Sequence, residues 1–246
     1  MDIILNTYFN NSLLPRAQQP GFFDNFDRPV SDTAMLSLTS GEGRAWRYDS
    51  TGIAPVWRCD SLGRAVNRSG DTRNFAWLDG LATNGKLKVT AAALGSTRKG
   101  GLVFRYVDAL NHLFAVQATA SAPISLYKRV AGSSYILATS SYVPVDGDVF
   151  EVEMNGQNLT LRVNGNTVVT ATESAFLGET RMGLYGSSDS FSMAWDDIRF
   201  TPTNQEPPCF CPRILLRAGS RVSSSPASLM VLMMTRTRMR YLLRGL

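Results

Sequence analysis

One histidine, three cysteines and no apolar run longer than Leu229 to Met234 set the first limits on this chain of 246 residues. A helix needs roughly 20 consecutive apolar residues to cross a bilayer, so no helical span is expected. The cysteines, Cys59, Cys209 and Cys211, are odd in number and lack the spacing of a disulfide framework. The pair in "PCFCP" would supply two zinc ligands, but a closed site takes four and only Cys59 and His112 remain. An exposed linker accounts for them better. There is no Gly-x-Ser-x-Gly elbow, and His112 has no evident Ser or Cys partner, so hydrolytic triads find no support. A secretory leader would open with basic residues and a long apolar stretch, whereas this chain opens Met1-Asp2 and soon meets Asn6 and Asn10. The expectation is that it is not exported by the usual route, or that it reaches the outside as part of a larger object.

Lysine is scarce, with Lys86, Lys88, Lys99 and Lys128 alone, and the tail after residue 200 has none. Residues 1–200 hold 18 Lys and Arg against 19 Asp and Glu, a net of −1; residues 201–246 hold seven Arg and one acid, Glu206, a net of +6. The formal charge of +5 therefore belongs to the tail. That tail, after the linker "TPTNQEPPCFCP", keeps no strand or helix period. It reads either as a basic arm for nucleic acid or another anionic surface, or as a segment with no evolved fold, as a shifted reading frame would give; the second is preferred.

What is present is 44% hydrophobic and 18% charged residues, the balance of a packed domain. From Phe22 to Phe200 short β segments alternate with turns. "GKLKVTAAAL" sets Leu87, Val89 and Ala91 against Lys86, Lys88 and Thr90, and "DVFEVEMNGQNLTLRVNGNTVVTAT" reads as three antiparallel strands joined at two Asn-Gly turns. Further segments are expected at 53–58, 64–67, 74–78, 101–107, 112–119, 123–130, 134–141, 181–186 and 190–200. About a dozen short strands without a sustained helical period predict an all-β, two-sheet antiparallel sandwich. In "SFSMAWDDIRF" the parity of Phe191, Met193 and Trp195 differs from that of Ile198 and Phe200, which predicts a β-bulge at Asp196-Asp197. In "GLVFRYVDALNHLFAVQ", Asp108 and Asn111 bracket a hairpin turn and His112 starts a strand, while Arg105 shares the parity of Val103 and Val107 and no turn explains it.

Sugar binding requires an aromatic platform and a few polar donors. Candidates are Trp46, Trp57, Trp77, Tyr106, Tyr127 and Tyr185; the ligand set taken forward is Arg105, Asn111, Trp77, Tyr127 and Tyr185. Against it stands the ordinary fate of aromatics in a sandwich, which is its core. The Glu-x-Asp-x-x-Glu spacing of glycoside hydrolases of related shape is absent, and Glu151 and Glu153 read as a solvated strand face. Arg105, His112 and Tyr185 would serve a lyase only by assumption. No catalytic residue is assigned.

"FFDNFDRP", "GLVFRYVDALNHLFAVQ", "LYKRVAG", "LRVNGNTV" and "SMAWDDIRF", in this order, make residues 21–201 resemble the concanavalin A-like, laminin G-like jelly-roll modules of actinobacterial surface proteins and of tail or minor structural proteins of their bacteriophages. The matching positions are Asp24, Phe26 and Arg28; Gly101, Arg105, Asp108 and Asn111; and Trp195, Asp196 and Asp197. The resemblance implies a jelly roll whose first and last strands are neighbours. It also implies a structural calcium held by Asp24 with Asp196 or Asp197, unless Arg28 or Arg199 neutralises those acids. No other cofactor is expected. It further implies residues 1–20 as an arm that docks to other virion proteins, 21–201 as the sandwich, and 202–246 as linker and tail. The expected role is a non-catalytic virion structural or adhesion module, located on the particle or otherwise extracellular, with host surface glycan as ligand. A polysaccharide-active hydrolase or lyase is the alternative, and nucleic acid is not expected except through the tail.

Overall fold

The computed structural model describes residues 19–28, 39, 41–52, 56–68, 73–95, 100–119, 121–187 and 193–203. These fall within the unit Asn11–Gln205; the other unit, Met1–Asn10 with Glu206–Leu246, lies outside them, as do Cys209, Cys211 and the proposed tail. Fifteen strands are described: β1 (Phe22–Asp24), β2 (Arg47–Ser50), β3 (Trp57–Cys59), β4 (Ala65–Asn67), β5 (Asn74–Asp79), β6 (Gly85–Ala93), β7 (Gly100–Asp108), β8 (Asn111–Gln117), β9 (Ile124–Val130), β10 (Ser133–Thr139), β11 (Val149–Asn155), β12 (Asn158–Val163), β13 (Asn166–Thr172), β14 (Arg181–Gly186) and β15 (Ala194–Pro202).

They form two antiparallel sheets. One has eight strands in the order β13-β12-β11-β6-β15-β4-β3, with β1 also paired to β15; the other has seven in the order β10-β9-β8-β7-β14-β5-β2. Among the described residues there is no helix. The chain is an all-β, two-sheet antiparallel sandwich, as the alternation predicts, with the jelly-roll architecture that the resemblance implies. The period of two explains its layers. In β6, Leu87, Val89 and Ala91 have no exposure, while Lys86 and Lys88 point outward. In β11, Phe150, Val152 and Met154 are buried and Glu151 and Glu153 are not. Each such Val, Leu or Phe contributes roughly 1.5–3 kcal/mol on leaving water.

Both Asn-Gly turns form. Between β12 and β13, Asn164 and Gly165 have φ of 51° and 81°, the pair of positive values that a type I′ hairpin requires. Asn164 also donates Nδ2 to Asp148 at 2.7 Å and accepts the Val149 N–H at 2.9 Å, which ties the hairpin tip to the start of β11. The bulge in β15 lies where the parity slip places it: register against β6 shifts between Asp196 and Arg199, and Asp197 has φ of 50°.

A second bulge was not legible. Register between β7 and β8 shifts between Phe104 and Asp108, and Arg105 has φ of 47°. Leu102 and Phe104 face the inter-sheet core and Val103 faces outward; the inserted residue then sends Tyr106 outward beside Val103. Arg105 therefore does not keep the parity of Val103. Its guanidinium, with 0% exposure, lies inside, where Nη1 donates to the Glu173 carbonyl at 3.0 Å and Nη2 to the Gly156 carbonyl. Those carbonyls flank β12 and β13, so Arg105 ties the seven-stranded sheet to the far edge of the eight-stranded one.

Candidate functional site

Residues paired in register point to the same face of a sheet. On the outer side of the seven-stranded sheet one row runs Asp49, Phe75, Tyr185, Gly101, Val116 and Ser125. The next runs Arg47, Trp77, Gly183, Val103, Phe114, Tyr127 and Ile136. With His112 and Tyr106, these rows form an aromatic layer separate from the core between the sheets. Phe75 is its centre, with ring centroids 4.8 Å from His112, 5.1 Å from Tyr106 and 5.5 Å from Tyr185. Phe114 and Tyr127 stack at 5.0 Å with planes 13° apart. Trp77 lies 5.9 Å from Tyr106, and the Arg181 guanidinium sits 5.2 Å over the Trp77 ring. Such contacts each add about 0.5–1.5 kcal/mol beyond area burial.

Exposure differs within the layer. Phe75 and His112 have none, whereas Trp77 and Tyr127 are half-buried and Ile136, at the end of their row, is 62% exposed. Trp77 on β5 and Tyr127 on β9 are four strand spacings apart, about 19 Å. Gly183, between Trp77 and Val103, keeps the row tight: a Cβ there would lie 2.1 Å from the Ala76 carbonyl oxygen.

The polar atoms are specific. Tyr106 donates its hydroxyl to Asp49 Oδ2 at 2.6 Å, and burial together with that carboxylate pushes the phenol pKa well above its usual value. His112 Nδ1 lies 3.0 Å from the Asp108 carbonyl oxygen, which only accepts, so Nδ1 carries the proton. Burial lowers the imidazole to about 4, so the ring is neutral at pH 7 and Nε2 presents a lone pair.

Of the expected ligand residues, Trp77, Tyr127 and Tyr185 stand together on this face, and Tyr106 joins them. Arg105 is placed on the inner side instead, for the reason given by its bulge. Asn111 sits at the turn: its Nδ2 lies 3.0 Å and 3.1 Å from the Asp108 carboxylate oxygens, and its Oδ1 accepts the Ala131 N–H at 3.0 Å, stapling two hairpins. Trp46 and Trp57 belong to the inter-sheet core. Phe75 and Phe114 were missed, although strand parity with Trp77 and His112 is the signal that finds them.

Two of the carboxylates expected for calcium, Asp24 and Asp196, are otherwise engaged. β1 does pair with β15, placing Asp24 opposite Ile198. Asp24 is fully buried and accepts from Arg28 at 2.6 Å, Trp46 Nε1 at 2.7 Å and the Phe26 N–H at 2.9 Å. Asp196 accepts the Asp197 N–H at 2.8 Å, and burial raises its pKa. Among the described residues no three His, Cys, Asp or Glu side chains gather as cation ligands. This donor set does not fit a calcium ion.

The outer face of the eight-stranded sheet is a charge ladder. Arg162 reaches Glu153 at 2.5 Å and Glu151 at 3.3 Å, and Lys86 lies 3.8 Å from Glu151.

No protein-family model matches the chain, and no curated protein matches it in sequence. Among solved structures it is similar to the carbohydrate-binding module CBM66 from Bacillus subtilis, at 16% identity over 68% of this chain and 100% of that one, with a TM-score of 0.48. It is also similar to a β-glucanase from Bacillus licheniformis, at 12% identity over 76% and 100% with a TM-score of 0.46. A galectin from Caenorhabditis elegans matches at 11% identity over 61% and 99%, with a TM-score of 0.41.

Proposed function

We propose that the outer face of the seven-stranded sheet binds carbohydrate without catalysing a reaction on it. One observation carries this reading: Trp77 and Tyr127 lie half-buried in a single register row, each held by a neighbouring ring on the same face, Tyr106 and Phe114. Rigid, partly open rings suit the apolar faces of sugars, and their separation of about 19 Å suits an oligosaccharide better than a single ring. The alternative, a polysaccharide-active enzyme, needs two carboxylates about 5 to 10 Å apart across a cleft. The pair that comes nearest to that pattern in the sequence, Glu151 and Glu153, is held by Arg162 and Lys86 on the opposite outer face, which favours binding over hydrolysis.

The setting we propose is the surface of a phage particle, with residues 1–20 docking to other virion proteins. Its support is the sequence resemblance. A glycan array of the full chain, run with and without calcium, tests the binding reading. The expected result is a set of saccharides bound equally in both conditions; an array without any bound saccharide contradicts it.

A further inference from the structure

Three polar atoms on the aromatic face have no role in the fold. His112 Nε2, Arg129 Nε and Trp77 Nε1 are shielded from solvent and have no hydrogen-bond partner among the described residues. Two of them stand side by side, because His112 and Arg129 are direct partners across the β8–β9 ladder. Directly opposed residues place their Cβ atoms roughly 4.5–5.5 Å apart, on one face.

Arg129 is unusual among the buried arginines. Arg105 and Arg44 each give both terminal nitrogens to backbone carbonyls. Arg129 is 5% exposed, makes one hydrogen bond, Nη1 to Ser134 Oγ at 2.9 Å, and has no ion pair among the described residues. Burial lowers the pKa of Arg129, with Arg73 adding to the effect and Tyr185 opposing it, and Arg73 and Arg129 both act on His112, with Asp108 opposing them. A buried guanidinium without a carboxylate is costly to keep. With Nη1 occupied by Ser134, the edge formed by Nε and Nη2 is left. That edge offers two parallel N–H donors, the arrangement that matches a planar carboxylate. Beside it, the Nδ1-protonated His112 offers an acceptor at Nε2, which suits a hydroxyl and repels an anion.

We propose that Arg129 and His112 form a subsite for a sugar acid, Arg129 taking the carboxylate through its Nε edge and His112 Nε2 accepting from a neighbouring hydroxyl. Hexuronates carry this combination, a carboxylate next to a ring carbon bearing a hydroxyl. The inference rests on the carbohydrate reading and narrows its ligand class to acidic glycans. Trp77 and Tyr127 then hold the sugars that extend from the acidic one.

The test compares oligogalacturonate with its fully methyl-esterified and carboxyl-reduced forms, titrated into the full chain, alongside a sulfated oligosaccharide. The acid is expected to bind at least about tenfold more tightly than the neutral forms, the difference a charge-assisted pair supplies. Arg129→Gln is expected to erase that preference, the acid then binding no more tightly than the neutral forms. If Arg129→Gln fails to fold, the comparison of acid with ester on the natural chain decides alone. Equal binding of acid and neutral forms overturns the subsite and leaves carbohydrate binding standing. Preference for the sulfated probe overturns the carboxylate assignment. Binding of no saccharide overturns both.

Discussion

The two outer faces of the sandwich are built on the same alternation and are chemically opposite. On the eight-stranded sheet, the alternate positions of β6, β11 and β12 include Lys86, Lys88, Thr90, Glu151, Glu153, Thr160 and Arg162, and the charges neutralise one another around Arg162. On the seven-stranded sheet the same positions hold Phe75, Trp77, Phe114, Tyr127 and Tyr185, and the buried Arg129 has no acid partner among the described residues. The first face is what solubility requires of a sheet in water. The second is a packed aromatic layer separate from the core between the sheets. This aromatic layer, with polar atoms that lack partners among the described residues, is the part of the molecule on which the proposed binding reading rests.

Substitutions that separate the two faces sharpen this contrast. Phe75→Ala, at the centre of the aromatic layer, is expected to lose about 3–5 kcal/mol in urea unfolding, as a buried ring does. A loss below 1 kcal/mol would show that the layer is not a packed unit. Arg105→Met leaves the Gly156 and Glu173 carbonyls without their donor and is expected to cost about 3 kcal/mol, without altering any sugar binding. A binding defect at full folding would return Arg105 to the ligand site.

Acid sensitivity provides a third contrast. The folded chain holds His112 at about 4 against 6.5 in an unfolded one. Between those values the unfolded chain takes up a proton that the folded chain refuses. Stability is therefore full above pH 6.5 and falls as pH drops towards 4, by on the order of 3 kcal/mol in total. His112→Phe is expected to flatten that part of the stability profile, read by thermal melts across the range. An unchanged slope would mean that the ring is not held neutral by burial. At the smallest end, Arg162→Ala on the charge ladder is expected to change stability by less than about 1 kcal/mol, since its partners remain hydrated.

Much of the fold was legible because burial repeats at the strand period. β6, β11, β12 and β13, the two Asn-Gly turns and the bulge at Asp197 all follow from alternation and turn chemistry. β1 and β2 were not legible: with three and four residues they are too short to show a period, and pairing alone defines them. The site was legible in part. Trp77, Tyr127 and Tyr185 could be named, but an aromatic on an outer face and one in the core look alike until register is known. Arg105 misled because a bulge at a non-glycine residue leaves no mark in composition. Asn111 misled because its amide is consumed by Asp108 and Ala131. Arg129 went unnoticed, since isolation of a charge is a property of its neighbours in space.

The claim that the aromatic face is the binding face is tested most directly by titrating the strongest saccharide from the glycan array into the natural chain, Trp77→Ala and Arg162→Ala while following tryptophan fluorescence. Of the four tryptophans, Trp46, Trp57 and Trp195 are buried and Trp77 alone is half-buried. The account predicts a ligand-dependent signal in the natural chain and in Arg162→Ala, and its loss together with the affinity in Trp77→Ala. Binding that survives Trp77→Ala and disappears in Arg162→Ala would contradict it.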